Sequence, residues 1–410
     1  MKSNTRDPSV FGSMRRDVYE AIAQQLLEHA KSRTTDSTGA VKAVPVAHYR
    51  DRSRWLAEVQ KVFKEMPVLV ALSCELKNAA DYKAVEIVGV PLLRIRGEDG
   101  KVRTFLNVCR HRGAHVAEPG HGNRRRFLCP YHSWTYDQRG CLVSILDEAK
   151  FGSVDPSRRQ LVELYTREVS GVIFACLTPG LSFDIEAFLG EMLDELDSYH
   201  LDTWNLLGQN IIHGPNWKIA MDGYIEFYHI TSLHPDTLGT MVTNNVMACA
   251  TFGEYSFGPH QRIAAPSSDI IERLNKPVSE WETGEAVLDV KLVFPNNSFA
   301  ITSGNPLSPA GGMLSQVFPG ASPDTSITIQ NHIYREIPAP GAEHDALDEA
   351  IGRFKYVVEE EDYRGGRQIQ LGMNTDANST FIFGKNEVGP QNFHTALDYF
   401  LSQSREDLKF

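Results

Sequence analysis

Two short pairs of metal-seeking side chains constrain this chain more than any other feature. Cys109-Arg110-His111 and Cys129-Pro130-Tyr131-His132 each offer one thiolate and one imidazole, and residues 112–128 separate them. Four such ligands suit either tetrahedral zinc or a [2Fe–2S] cluster in which one iron keeps two Cys and the other takes two His. The flanking residues read as strands and turns. Val85-Glu86-Ile87-Val88 leads into Pro91-Leu92-Leu93-Arg94-Ile95, Glu98-Asp99-Gly100 reads as a hairpin turn, and Val102–Val108 reads as the returning strand. A second turn falls at Asp137-Gln138-Arg139-Gly140. The ligand pairs therefore sit on loop tips of a small all-β domain.

The second constellation lies in Trp217–Pro235. It contains Glu226, His229 and His234 in the pattern E-x-x-H-x4-H. Helical spacing is expected over Trp217–Ile230, with Pro235 ending the element. Glu226 and His229 then share a helical face, and both histidines reach one ion if the helix frays near Thr231-Ser232. Two His and one carboxylate on one side of a metal form the facial triad of non-haem Fe(II) oxygenases. The carboxylate has to come from elsewhere. A helix is expected from Glu343 through Val358, and Glu359-Glu360-Glu361-Asp362 would crowd its C-terminus, where negative charge opposes the helix dipole. That placement points to a nearby cation. Asp362 is the expected ligand, with Glu361 and Glu359 as alternatives.

The rest of the chain reads as α+β. Helical spacing recurs near Ser13–Lys31 and Asp184–Tyr199. Apolar runs divided by turns at 292–294, 298–301, 314–317 and 327–329 read as an antiparallel sheet. The 410 residues carry a net charge of −11, which disfavours nucleic acid. No apolar run approaches the length of a membrane span, and no apolar stretch follows Met1-Lys2-Ser3, so neither a membrane anchor nor a secretory signal is expected. Six scattered cysteines fit a cytoplasmic protein, and the four outside the ligand pairs are expected to be buried.

Cys109-Arg110-His111-Arg112-Gly113 and Cys129-Pro130-Tyr131-His132-Ser133-Trp134, followed by Glu226, His229 and His234, resemble the α subunit of a Rieske non-haem iron oxygenase of the ring-hydroxylating dioxygenase family, from about Val44 to Gly389. The resemblance implies an N-terminal helical segment of the catalytic domain (1–44), a Rieske [2Fe–2S] domain (45–165) and a mononuclear iron domain (166–410). Cys109, His111, Cys129 and His132 would hold the cluster. His229, His234 and Asp362 would hold mononuclear Fe(II). Glu226 would bridge to His132 of a neighbouring subunit and relay the electron, which implies a homotrimer, with a β subunit possible but not favoured by Glu at the bridge. Electrons would come from NAD(P)H through a separate reductase, with or without a ferredoxin, to be used with O2 to hydroxylate an apolar, aromatic small molecule. The alternative is oxidative demethylation or cleavage of a quaternary amine. Readings from other classes are an electron-transfer protein and a zinc-stabilised binding protein.

Two positions depart from the family pattern: Ser133 stands where Gly is usual, and Asp222-Gly223 where Glu-Asn is frequent. Arg110, Arg112, Arg124, Arg125 and Arg126 form a basic cluster suited to docking an acidic electron donor. Phe227, Tyr228, Phe252, Tyr255 and Phe257 either line a substrate pocket or belong to the core.

Overall fold

The computed structural model describes residues 14–253, 255, 258–302 and 311–404. Phe257 and most of the loop at 303–312 lie outside them. The chain forms two compact units, one of residues 59–185 and one of the residues on either side.

In the smaller unit, a five-stranded antiparallel sheet holds Asp81–Ile87, Val90–Arg96 and Val102–Leu106 at its centre. The expected hairpin at residues 98–100 joins the last two. A three-stranded sheet of Arg126–Leu128, Thr135–Asp137 and Leu142–Ser144 contains the second expected turn. Tyr82, Leu93, Ile95, Phe105, Phe127, Trp134 and Tyr136 pack into one core, which also takes in Cys109 and Cys129. This unit begins at Val59, where residue 45 was expected, because Lys42–Pro45 pairs with Thr380–Phe383 of the other unit. It runs on to Ile185, where 165 was expected, because Thr166–Val169 and Val172–Ala175 fold back onto Val68–Leu72.

The larger unit is a seven-stranded antiparallel sheet, in the order Asn205–Gly214, Ser326–Tyr334, Gly311–Pro319, Asn297–Thr302, Val287–Val293, His260–Pro266, Ala248–Phe252. Helices pack on it, as the α+β reading expects. Arg16–Ser32 lies against the His260–Pro266 end, and Trp217–Tyr224 against Gly311–Pro319 and Ser326–Tyr334. The segment expected to be one helix at Asp184–Tyr199 is two, broken at Gly190, which takes a φ of +53°. Of the four remaining cysteines only Cys176 is buried.

Candidate metal centres

The helix Trp217–Tyr224 leads into the candidate constellation. Asn216 caps it, its side chain accepting from Lys218 N at 2.8 Å. Its buried flank is fixed by charge. Lys218, fully buried, pairs with Glu58 Oε2 at 2.5 Å, and Trp217 Nε1 donates to the same oxygen at 3.0 Å. Asp222, at the departure from the family pattern, accepts from Tyr49 Oη at 2.7 Å and pairs with His394 Nε2 at 2.9 Å.

The helix stops at Tyr224 and does not run to Ile230 as expected. Gly389 of the C-terminal helix packs against the Ile225 carbonyl so closely that a Cβ there would clash. Glu226 lies in the link that follows, and its Oε2 accepts from Tyr228 N and from His229 N (3.1 Å). A capping turn, and not a helical face, thus joins Glu226 to His229. The histidines flank the single turn Ile230–Leu233, His229 before it and His234 after it.

The third member comes from a helix that does not end where the acidic cluster begins. Ala342–Tyr356 continues as a π-helical segment, Val357–Asp362, and then as Tyr363–Met373. The dipole argument therefore does not apply. Widened turns of this kind are frequent at functional sites. Asp362 Oδ1 lies 3.0 Å from His234 Nε2 and 3.5 Å from His229 Nε2. Metal–ligand bonds of about 2.1 Å at angles of about 90–110° put ligand atoms about 3.0–3.5 Å apart, so these residues fit a shared ion. The alternatives lie elsewhere. Glu359 is 3.9 Å from Lys355 Nζ. Glu361 Oε2 takes His234 Nδ1 at 2.6 Å and Thr237 Oγ1 at 2.8 Å. Both imidazoles thus present Nε2 to Asp362 and give Nδ1 to a carboxylate, Glu226 for His229 and Glu361 for His234. Glu361 as an orienting partner was not legible in the sequence beyond its place next to Asp362.

Burial alone would lower the His229 pKa, but Glu226 and Asp362 outweigh it and raise it to about 10. His234 is raised too, because Asp362 and Glu361 offset its burial. The raised pKa means the metal-free site binds protons where an ion would sit, so iron and protons compete. Fe(II) affinity of the metal-free chain is expected to rise between pH 6 and pH 8, by about tenfold per unit for each proton released. Iron titration with a chelator competitor measures this, and a flat profile would contradict it.

In the smaller unit the two ligand loops share one geometry. The Cys109 and Cys129 carbonyls accept from Gly113 N and Ser133 N, each at 2.9 Å. Gly113 and Ser133 both take positive φ, +88° and +57°, so Ser133 adopts at some strain the conformation that Gly, usual at this position, reaches freely. The His111 and His132 ring centroids are 4.7 Å apart, and the Cys109 thiol lies close enough to Cys129 to sense its charge. Among the described residues only His229, His234 and Asp362 bring three ligand atoms within 4.8 Å of one another. The Cys/His quartet, two thiols and two imidazoles on paired loops, suits a binuclear cluster taking two Cys on one iron and two His on the other.

His111 stacks on Trp134 (4.8 Å, 8° between planes). Burial, His132 and the guanidinium of Arg112 lower its pKa. Arg112 Nη2 lies 2.8 Å from His132 Nε2, and its guanidinium covers the Tyr131 ring at 4.6 Å. Tyr136 Oη accepts from Arg110 N at 2.9 Å and lies 3.5 Å from Cys109 Sγ, to which its own proton is free to donate. A donor to sulfur favours the more negative, reduced cluster. Tyr136→Phe is expected to lower the reduction potential by roughly 40 mV, the equivalent of about 1 kcal/mol for one electron. Spectroelectrochemistry checks it, and an unchanged potential would remove Tyr136 from the cluster's environment.

Among the described residues, the aromatics considered for a pocket do not converge. Phe227 packs with Ile230, Val242 and Ala265. Tyr228 is exposed. Phe252 lies under Arg262, and Tyr255 packs on Tyr399 and Phe400.

Residues 197–403 match the family model of the ring-hydroxylating alpha subunit (catalytic domain), and residues 66–155 match that of the Rieske [2Fe-2S] domain. The chain is 24% identical to the glycine betaine monooxygenase oxygenase subunit of Pseudomonas aeruginosa, over 93% of this chain and 94% of that one. It is 28% identical to the protein of the same name from Chromohalobacter salexigens over 49% of this chain, but there the match spans only 45% of the relative's length. A solved structure of a quaternary ammonium Rieske monooxygenase with L-carnitine shares the fold, with a TM-score of 0.73 at 20% identity over 87% of this chain and 95% of that one. Alpha subunits of chlorobenzene and benzene dioxygenases match over less than half of the chain. With both domains matched in order, the chain belongs to the ring-hydroxylating alpha-subunit family, the oxygenase components that carry a Rieske [2Fe–2S] cluster and mononuclear iron.

Proposed function

We propose that this chain is a terminal oxygenase that oxidises a carbon next to the nitrogen of a small quaternary amine. The observation that carries this reading is the likeness, along nearly the whole chain, to an oxygenase subunit that acts on glycine betaine. It favours the quaternary-amine alternative over the aromatic substrate expected first. Iron held by His229, His234 and Asp362 would supply oxygen activation, with electrons from a cluster held by Cys109, His111, Cys129 and His132. One oxygen atom enters a C–H bond beside nitrogen and the other leaves as water, consuming two electrons and two protons. The adduct then releases a tertiary amine and a carbonyl compound. Glu226 and Glu361 keep protons on Nδ1 of the two histidines, so that each Nε2 remains a ligand.

Alpha subunits of this family work with a reductase or ferredoxin and oligomerise. The finer reading is a homotrimer in which Glu226 of one copy meets His132 of the next. No helix among the described residues is long and apolar enough to cross a membrane, and six cysteines scattered through a long chain favour the cytoplasm.

The first test is spectroscopic. Anaerobically purified protein should give a Rieske-type EPR signal on reduction and about three irons per two sulfides. With a reductase it should then convert glycine betaine or carnitine. Zinc without sulfide would overturn the oxygenase reading, and turnover of aromatics alone would overturn the substrate class.

Arg112, Arg124, Arg125 and Arg126 are exposed and Arg110 half-buried, with Arg125 paired to Glu98. Reduction by an acidic ferredoxin is expected to slow severalfold between about 50 and 500 mM salt in stopped-flow measurements. A salt-independent rate would exclude this cluster as the docking site.

A further inference from the structure

A cluster of two ferric ions, two sulfides, two thiolates and two neutral imidazoles is uncharged, and the electron it takes up makes it an anion. Cys109 and Cys129 are buried and share a core with Trp134 and Tyr136, so that charge develops in surroundings that disfavour it. A cation held against the ligands offsets the cost, and Arg112 is so held. The first ligand loop closes where the Cys109 carbonyl accepts from Gly113 N, which sets Arg112 at the loop tip. From there the side chain reaches the second loop. Arg112 Nη2 lies 2.8 Å from His132 Nε2, and the guanidinium stands over the Tyr131 ring, 4.6 Å from its centroid. Tyr131 packs in turn on His132, with ring centroids 4.0 Å apart. Tyr131 is itself 60% exposed, so its ring serves as a platform at the surface and not as core.

A guanidinium always carries its charge and has no lone pair. With Arg112 at Nε2, the nitrogen of His132 open to iron is Nδ1, and the cation stands across the ring from it. Its charge reaches His111 as well. Two other arginines of the basic cluster are engaged elsewhere: Arg125 pairs with Glu98 at 3.0 Å, and Arg124 lies over the Tyr82 ring. Among the described residues, Arg112 has His132 and Tyr131 as its side-chain partners and no carboxylate to neutralise it.

We infer that Arg112, clamped between His132 and Tyr131, is the countercharge of the reduced cluster and raises its reduction potential. It acts through His132, so it is a positioning residue for the electron and not a catalytic one. This role is separate from donor docking, which the basic cluster serves as a whole. The inference rests on the reading of Cys109, His111, Cys129 and His132 as cluster ligands and is independent of the substrate.

The test is the midpoint potential of the anaerobic holoenzyme, measured by mediated spectroelectrochemistry, with iron and sulfide assayed in every variant. Arg112→Gln is expected to shift the reduction equilibrium about 3- to 10-fold toward the oxidised form, a potential lower by roughly 30–60 mV. Arg112→Lys keeps the charge and is expected to recover at least about half of that shift. Arg124→Gln removes an equal charge from the same surface and is expected to move the equilibrium by less than about 1.5-fold, because solvent and salt screen it. An unchanged potential in Arg112→Gln, or an equal shift in Arg112→Lys or in Arg124→Gln, would overturn the inference. Should Arg112→Gln lose its sulfide, Tyr131→Leu decides. Without the platform the guanidinium is expected to move into solvent and the potential to fall in the same direction, and no change there would overturn the inference as well. A wild type with no Rieske-type signal would overturn the cluster reading, whereas a normal signal with unmoved potentials would overturn the role of Arg112 alone.

Discussion

Alanine in place of His229 or Asp362 is expected to abolish turnover while leaving the reduced cluster spectrum intact. Asp362 Oδ1 lies 3.0 and 3.5 Å from the two imidazole Nε2 atoms, so removing either residue takes one of three converging donors from the proposed ion. An open site with two ligands binds iron far more weakly, and the lost stabilisation of several kcal/mol corresponds to a rate loss of about 1,000-fold or more. The cluster ligands belong to the other compact unit, with its own core of Tyr82, Phe105, Phe127 and Trp134. Iron should fall by about one per chain with sulfide unchanged. A variant that kept its turnover would remove that residue from the site. Glu361→Ala should act more mildly, by about 10- to 100-fold in iron affinity, because it orients His234 without facing the ion.

Glu226→Gln, loaded with excess Fe(II) to offset the acceptor that His229 Nδ1 loses, is expected to pass electrons to the mononuclear site about 10- to 100-fold more slowly. In this chain Glu226 already serves three donors, Tyr228 N, His229 N and His229 Nδ1. Gln keeps an oxygen for the two backbone N–H groups, so the turn that places His229 should survive. What it loses is the negative charge held against the His229 ring and offered, in the proposed trimer, to His132 of the next copy. Rapid-freeze EPR of the pre-reduced protein, mixed with O2 and substrate, follows loss of the cluster signal. Decay at the wild-type rate would refute the bridge, whereas slow decay with full iron content would support it.

Short-range chemistry was legible in the sequence. The thiolate–imidazole pairs stand within three residues of each other, and the turns at 98–100 and 137–140 follow from local residue preferences. Both survive in the fold because a hairpin brings its own partners together. His229 and His234 were legible for the same reason, since one short turn separates them. Asp362 was selected by an argument about a helix terminus that the fold does not contain. The acidic run is the middle of a helix opened into π geometry, and no local signal at Val357-Val358 announces that widening.

Tertiary structure alone decided the rest. Gly389, more than a hundred residues away, closes on the Ile225 carbonyl just past the helix end at Tyr224. The division of labour between neighbouring carboxylates, Asp362 toward the two Nε2 atoms and Glu361 toward Nδ1 of His234, follows from how Val357–Asp362 meets the turn that His229 and His234 flank. Sequence by itself determined which residue types carry the chemistry and narrowed the metals each set can bind, because those depend on donor atoms and local spacing. Which carboxylate lies toward both Nε2 atoms and which holds an Nδ1 was decided by packing, because each depends on contacts between residues far apart in the chain.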